Sequence, residues 1–230
     1  MKNNIQNRCI FCASTKLYTV STTQFKCSTC KRKFSHKKHL QELTILEFFL
    51  QNKSAKECSD TLKINYITVK RVYTKVRILI INYAEQSYLN DEKNFSQYDE
   101  YYFLPEHKRG NIKYLFDAIG ILGMGYGEFI YTLLLPDQFS HLKNFSQDEV
   151  NASLYQEQYA KYLSQHKVAH YEAFENRLGQ FWTFLETFML HFKGVSKIKF
   201  IYYLKEAEFK FNHTKEVQKS ILLRLWSENM

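Results

Sequence analysis

The chain has 230 residues, of which 45% are hydrophobic and 17% aromatic, which is ample for a packed core and excludes a disordered polymer. No apolar run approaches bilayer length, the longest candidates being VRILIINYA and FIYTLLLP, so a soluble, cytoplasmic chain with no membrane partner is expected. The net charge of +9 is unevenly placed: residues 1–90 carry sixteen Lys and Arg against five Asp and Glu, whereas residues 91–230 carry sixteen against eighteen. A surface basic only in its amino-terminal part attracts phosphate backbones through counterion release, which makes double-stranded DNA the expected partner.

Two pairs of thiols open the chain, CIFC at Cys9–Cys12 and CSTC at Cys27–Cys30. Two residues between thiols let both converge on one ion from a tight turn, and two such turns complete a tetrahedron of soft ligands. The alternative is a pair of disulfides or a redox dithiol. The leading MKNNIQNR runs into Cys9 without an apolar core, which points to a reducing compartment and favours structural Zn²⁺ on Cys9, Cys12, Cys27 and Cys30. Between the pairs, STKLYTVSTTQFK alternates enough to predict a short hairpin. Cys58, the odd thiol, reads as a small residue on the buried side of a helix.

The run KRKFSHKKH follows the last thiol and is the densest basic stretch, with Lys31, Arg32 and Lys33 as candidate phosphate contacts. Then SAKECSDTLKINYITVKRVYTKVR splits into two helical sets, Ala55, Cys58, Leu62 and Ile64 before a polar KIN turn, and Val69, Val72 and Val76 after it. This is the layout of a helix-turn-helix. Its recognition element would be Tyr66–Lys75, with Thr68 to cap or touch phosphate and Lys70, Arg71, Tyr73 and Lys75 exposed. An ordinary helical hairpin with a basic face is the competing reading.

Past the polar break at residues 87–97, three β-rich segments are expected at Tyr98–Phe103, Tyr114–Leu122 and Glu128–Leu135. Gly123, Gly125 and Gly127 are assigned to the turn between the last two. Helices follow: SQDEVNASLYQEQYAKYLSQHK with a capping box at Ser146 and Glu149, then YEAFENRLGQFWTFLETFMLHF and VSKIKFIYYLKEAEFKFNH, whose aromatic stripes read as core. The predicted class is α+β, divided into a zinc ribbon (1–38), a helix-turn-helix domain (39–90) and a third domain (91–230).

This succession, with DEYYF, KRG, a hydrophobic hairpin, NRLGQFW and YLKEAEFKFN, resembles insertion-sequence transposases of the zinc-ribbon, ISXO-two-like type over nearly the whole chain. The resemblance implies a ribonuclease H-like third domain that cuts and joins DNA at element ends with two Mg²⁺ ions on an acidic triad. It implies a homo-oligomer that pairs two ends. Asp99 takes the first acidic position, with Glu100 on the opposite strand face. The second is matched poorly, Asp148 being the nearest acid. The third falls on Gly179, which leaves Asn176 or Glu175 to serve, and Glu186 stands where the family commonly has Lys. Two readings follow, an active transposase or a catalytically inactive, zinc-dependent DNA-binding protein derived from one.

Overall fold

The computed structural model describes residues 8–90, 95–109, 114, 117–136 and 177–230. Glu175, Asn176, Asp148 and the Ser146–Glu149 capping box lie outside the described residues. The chain is a mixed α+β protein, with two three-stranded antiparallel sheets among the described residues. Among the described residues no helix is long and apolar enough to cross a membrane.

Contacts divide the chain into two compact units, one formed by Met1–Leu79 together with Lys215–Met230 and the other by Ile80–Thr214. The first unit holds β1 (Leu17–Ser21), β2 (Gln24–Cys27) and β3 (Lys33–Phe34), then α1 (His36–Leu50), α2 (Ala55–Leu62) and the start of α3 (Tyr66–Asn90). It also holds α6 (Lys215–Glu228), which the sequence reading assigned to the third domain. That helix returns because it has an apolar side to bury: Leu222 and Trp226 are buried, and Lys219 pairs with Glu47 of α1 at 2.9 Å.

Local chemistry fixes the helix starts. Ser35 caps α1 by accepting from the Lys38 N–H. At α2, Ser54 and Glu57 form a reciprocal capping box, Glu57 N–H donating to Ser54 Oγ at 3.1 Å and Ser54 N–H to Glu57 Oε2 at 2.8 Å. Lys63 ends α2 in the left-handed region (φ 52°), and Asn65 Oδ1 accepts the Ile67 N–H at 2.8 Å as α3 begins. Asn65 thus performs the capping, and Thr68, expected to cap or to touch phosphate, lies within the first turn.

The second unit carries the antiparallel sheet β4 (Phe95–Phe103), β5 (Ile119–Tyr126) and β6 (Phe129–Leu134), covered by α4 (Arg177–Met189) and α5 (Lys197–Asn212). Three strands appear where three were expected, with β4 starting at Phe95 rather than at Tyr98. β5 starts at Ile119 rather than at Tyr114 and runs on through Gly123 and Gly125, so only Gly127 (φ 53°) serves the hairpin turn. Gly123 is a contact residue: a Cβ there would lie 2.6 Å from the Trp182 ring and 2.8 Å from Leu178. The missing side chain lets α4 settle onto the sheet. Tyr101 stacks on Trp182 at 4.7 Å, and Ile121, Ile130, Phe181, Leu185, Phe200 and Leu204 continue the core.

α5 is buried on every side from Leu204 to Lys210. Its charges are therefore paired internally, Lys205 with Glu208 at 2.7 Å and Lys210 with Glu206 at 2.6 Å. Burial pushes the Lys205 ammonium pKa down and the Glu208 carboxyl pKa up from their ordinary values. Lys210 is in the interior as well.

Candidate metal centre and nucleic-acid interface

The two thiol turns share one backbone shape. In each, the N–H after the second Cys returns to the carbonyl of the first, Ala13 to Cys9 at 3.0 Å and Lys31 to Cys27 at 3.1 Å. Both closing residues take positive φ, 56° and 62°. Within each turn the first sulfur accepts a backbone N–H, Cys9 from Phe11 at 3.4 Å and Cys27 from Thr29 at 3.3 Å. N–H groups aimed at sulfur favour thiolate. The N–H groups of Cys30 and Thr29 pull the Cys27 thiol down to about 6, against the effect of burial.

All four sulfurs lie within 4.8 Å of one another, with Cys9 to Cys30 and Cys12 to Cys27 each 3.6 Å apart. A tetrahedral zinc with Zn–S of about 2.3 Å needs S···S separations of about 3.8 Å, whereas a disulfide needs about 2.0 Å. The cysteines are free thiols in a geometry compatible with structural zinc. Outside them, the ribbon core is little more than Phe34, Phe11, Phe25 and Leu17. His36 packs its ring on Phe34 at 5.0 Å and Phe25 at 5.3 Å, and burial lowers its pKa.

Lys31, Arg32 and Lys33 are exposed beside the last thiol. The Arg32 guanidinium lies 4.8 Å from the centre of the Phe11 ring, which holds it against the ribbon. On α3, Val69, Val72 and Val76 are buried as the period required, and Tyr66, Ile67, Lys70 and Arg71 are exposed. Thr68 is half-buried.

Two assignments on this helix change. Tyr73 is 2% exposed, packed edge-on against Phe49, with its hydroxyl donating to the Lys53 carbonyl at 2.9 Å. Lys75 donates to the Asn229 carbonyl at 2.7 Å and lies 4.5 Å from the centre of the Trp226 ring, so its charge is engaged with the carboxy-terminal helix.

In the second unit, Asp99 on β4 faces α4, and its Oδ2 accepts the Trp182 indole N–H at 2.9 Å. Glu100 turns to the other face, where the Tyr102 hydroxyl reaches it at 3.4 Å. One turn after Trp182, Glu186 accepts from both the Tyr101 hydroxyl and the Arg109 guanidinium. These partners went unread in the sequence, although the alternation in DEYYF that sets Asp99, Tyr101 and Phe103 on one face was the available signal. Gly179 is buried in α4. Among the described residues, the four cysteines are the one group of three or more His, Cys, Asp or Glu side chains close enough to hold a metal ion. Of the residues expected to hold Mg²⁺, Asp99 is the described one, and an indole occupies one of its oxygens.

Comparisons with protein-family models, curated proteins and solved structures return no match for this chain.

Proposed function

We propose that this chain is a zinc-dependent protein of the insertion-sequence transposase kind that binds double-stranded DNA at element ends through its first unit. The observation that carries the reading is the joining, in one compact unit, of four convergent thiols to the α2, Lys63–Asn65 and α3 arrangement with its exposed basic face. In this reading the pair α2 and α3 is a helix-turn-helix. The amino end of α3 enters the major groove, where Lys70 and Arg71 meet phosphates or base edges and Ile67 offers an apolar contact. Lys31, Arg32 and Lys33 add phosphate contacts. Zinc would be held by Cys9, Cys12, Cys27 and Cys30 and would supply folding energy to a ribbon with little core.

The bond between Asp99 and Trp182 favours binding without cleavage over an active transposase. Glu175 and Asn176 remain the proposed partners of Asp99 in the active alternative, with Mg²⁺ as its cofactor and a homo-oligomer as the species that joins two ends.

The test is binding and cleavage of duplexes carrying the inverted repeats that flank the gene, measured with Mg²⁺ or Mn²⁺ for the native protein and for Asp99→Ala. Specific binding that chelation abolishes, with no strand cut by either protein, is expected. Cleavage lost on Asp99→Ala would replace this reading with the active one, and no binding at low salt would overturn both.

A further inference from the structure

The second unit encloses a cavity of about 640 Å³, within the range of small-molecule sites. Its floor is apolar, built from Phe103 at the end of β4, Ile119 at the start of β5, Met189 of α4 and Phe200 of α5. Phe103 and Phe200 are buried beneath it, and the partly exposed Ile119, Phe192 and Val195 give the cavity its accessible apolar surface. Its wall is polar. Asp117 lies there, paired with Lys108 at 2.6 Å, and so do Glu106, His107 and Glu186.

One lip is cationic. Lys193 and Lys197 flank the loop that leads into α5, a sixteen-residue helix whose first turn carries no acidic residue. The Ser196 side chain makes no capping bond there. Three chemistries thus meet around one volume: a surface that accepts a flat ring, carboxylates that accept from exocyclic amino groups, and ammonium groups at the mouth. A fatty acid would use the floor and the lip but would leave the carboxylates facing its chain.

We propose that this cavity binds a nucleoside phosphate, with the base against the partly exposed Ile119, Phe192 and Val195, its amino group toward Asp117 or Glu106, and the phosphate at Lys193 and Lys197. A free nucleotide and the terminal nucleotide of a DNA strand share this chemistry. The site lies in the unit that does not carry the proposed duplex-binding helices, so it stands or falls separately from that reading.

The experiment is isothermal titration of the zinc-loaded full chain with AMP, adenosine, inorganic phosphate and decanoate, followed by competition of a 5′-phosphorylated trinucleotide against AMP. Saturable AMP binding is expected, with adenosine and phosphate weaker by about tenfold or more, since each forfeits half of the contacts. Lys193→Glu combined with Lys197→Glu should weaken AMP by a similar factor; Lys193→Ala, at an exposed position, provides the same reading with less risk to folding. Lys70→Glu with Arg71→Glu should leave AMP binding unchanged even if duplex binding is lost. Displacement of AMP by the trinucleotide supports a strand-end ligand, and AMP binding without displacement supports a free nucleotide. Absence of saturable AMP binding, indifference to both lysine variants, or preference for decanoate would overturn the proposal.

Discussion

Asn212 clasps the outer edge of the second sheet at Ile130: its Oδ1 accepts the Ile130 N–H at 2.9 Å and its Nδ2 donates to the Ile130 carbonyl at 2.7 Å. One helical turn earlier, Glu208 accepts the N–H and hydroxyl of Thr132 at 2.7 and 2.6 Å. The spacing matches because four helical residues rise about 6 Å and two strand residues about 6.8 Å. A strand edge that would otherwise carry unpaired groups is closed by side chains of α5. Asn212→Leu strands a buried donor and a buried acceptor, so a loss of about 3 kcal/mol is expected from urea unfolding. Asn212→Asp should lie between the two, since it keeps the acceptor and loses the donor.

The crossing of α4 over β5 depends on the absence of a side chain at Gly123. Gly123→Ala forces a Cβ into the Trp182 ring and Leu178, and an overpacked core costs about 1–3 kcal/mol. Because the displaced indole is also the donor to Asp99, the variant should show both a lower melting temperature and altered Trp fluorescence. Gly125→Ala, where the nearest atom is 3.6 Å away, serves as the mild control.

What the sequence disclosed was local, and what it hid was long-range. The CxxC spacing fixes the four-sulfur cluster because two residues define each turn, and the 3.6 period places Val69, Val72 and Val76 inside. Tyr73 shares that stripe, four residues after Val69, but its hydroxyl allowed it to be read as an exposed contact; burial is possible because the Lys53 carbonyl receives that hydroxyl. Gly123 and Gly125 gave a turn signal, since glycine marks turns and close approaches alike and only the helix crossing separates them. The return of α6 to the first unit, and the clasp on the β6 edge, are pairings across many residues that no local pattern announces.

Zinc should be required for the ribbon but not for the second sheet. One Zn²⁺ per chain is expected by elemental analysis, and Cys27→Ser or chelation should release it. The near-ultraviolet and hydrogen-exchange signatures of β4, β5, β6, α4 and α5 should persist, because they share a core of their own. Full retention of ribbon protection after chelation would refute a structural metal.

His213 introduces a pH dependence. Burial pushes its pKa below the ordinary 6.5, with Phe209 and Phe129 packed on the ring at 5.1 and 5.8 Å and the Tyr83 hydroxyl 3.5 Å from Nε2. Between the depressed folded value and 6.5, the unfolded chain binds the proton and the folded chain does not, so this contribution to stability is complete above 6.5 and falls as the pH drops. The ring resonance of His213, identified by its loss in His213→Phe, should titrate below 6.5. A midpoint at or above 6.5 would contradict this environment.

Three lysine and arginine positions on α3 should separate into two behaviours. Lys70 and Arg71 are exposed, so Lys70→Ala and Arg71→Ala should each weaken duplex binding and lower the slope of log K against log salt by about one, with little change in melting temperature. Lys75 is held by the Asn229 carbonyl and the Trp226 ring. Lys75→Ala should therefore leave the salt slope unchanged and cost about 1 kcal/mol of stability in the first unit. A salt slope that falls with Lys75→Ala as it does with Lys70→Ala would show that Lys75 leaves α6 to meet phosphate, and that the carboxy-terminal helix gives way when DNA binds.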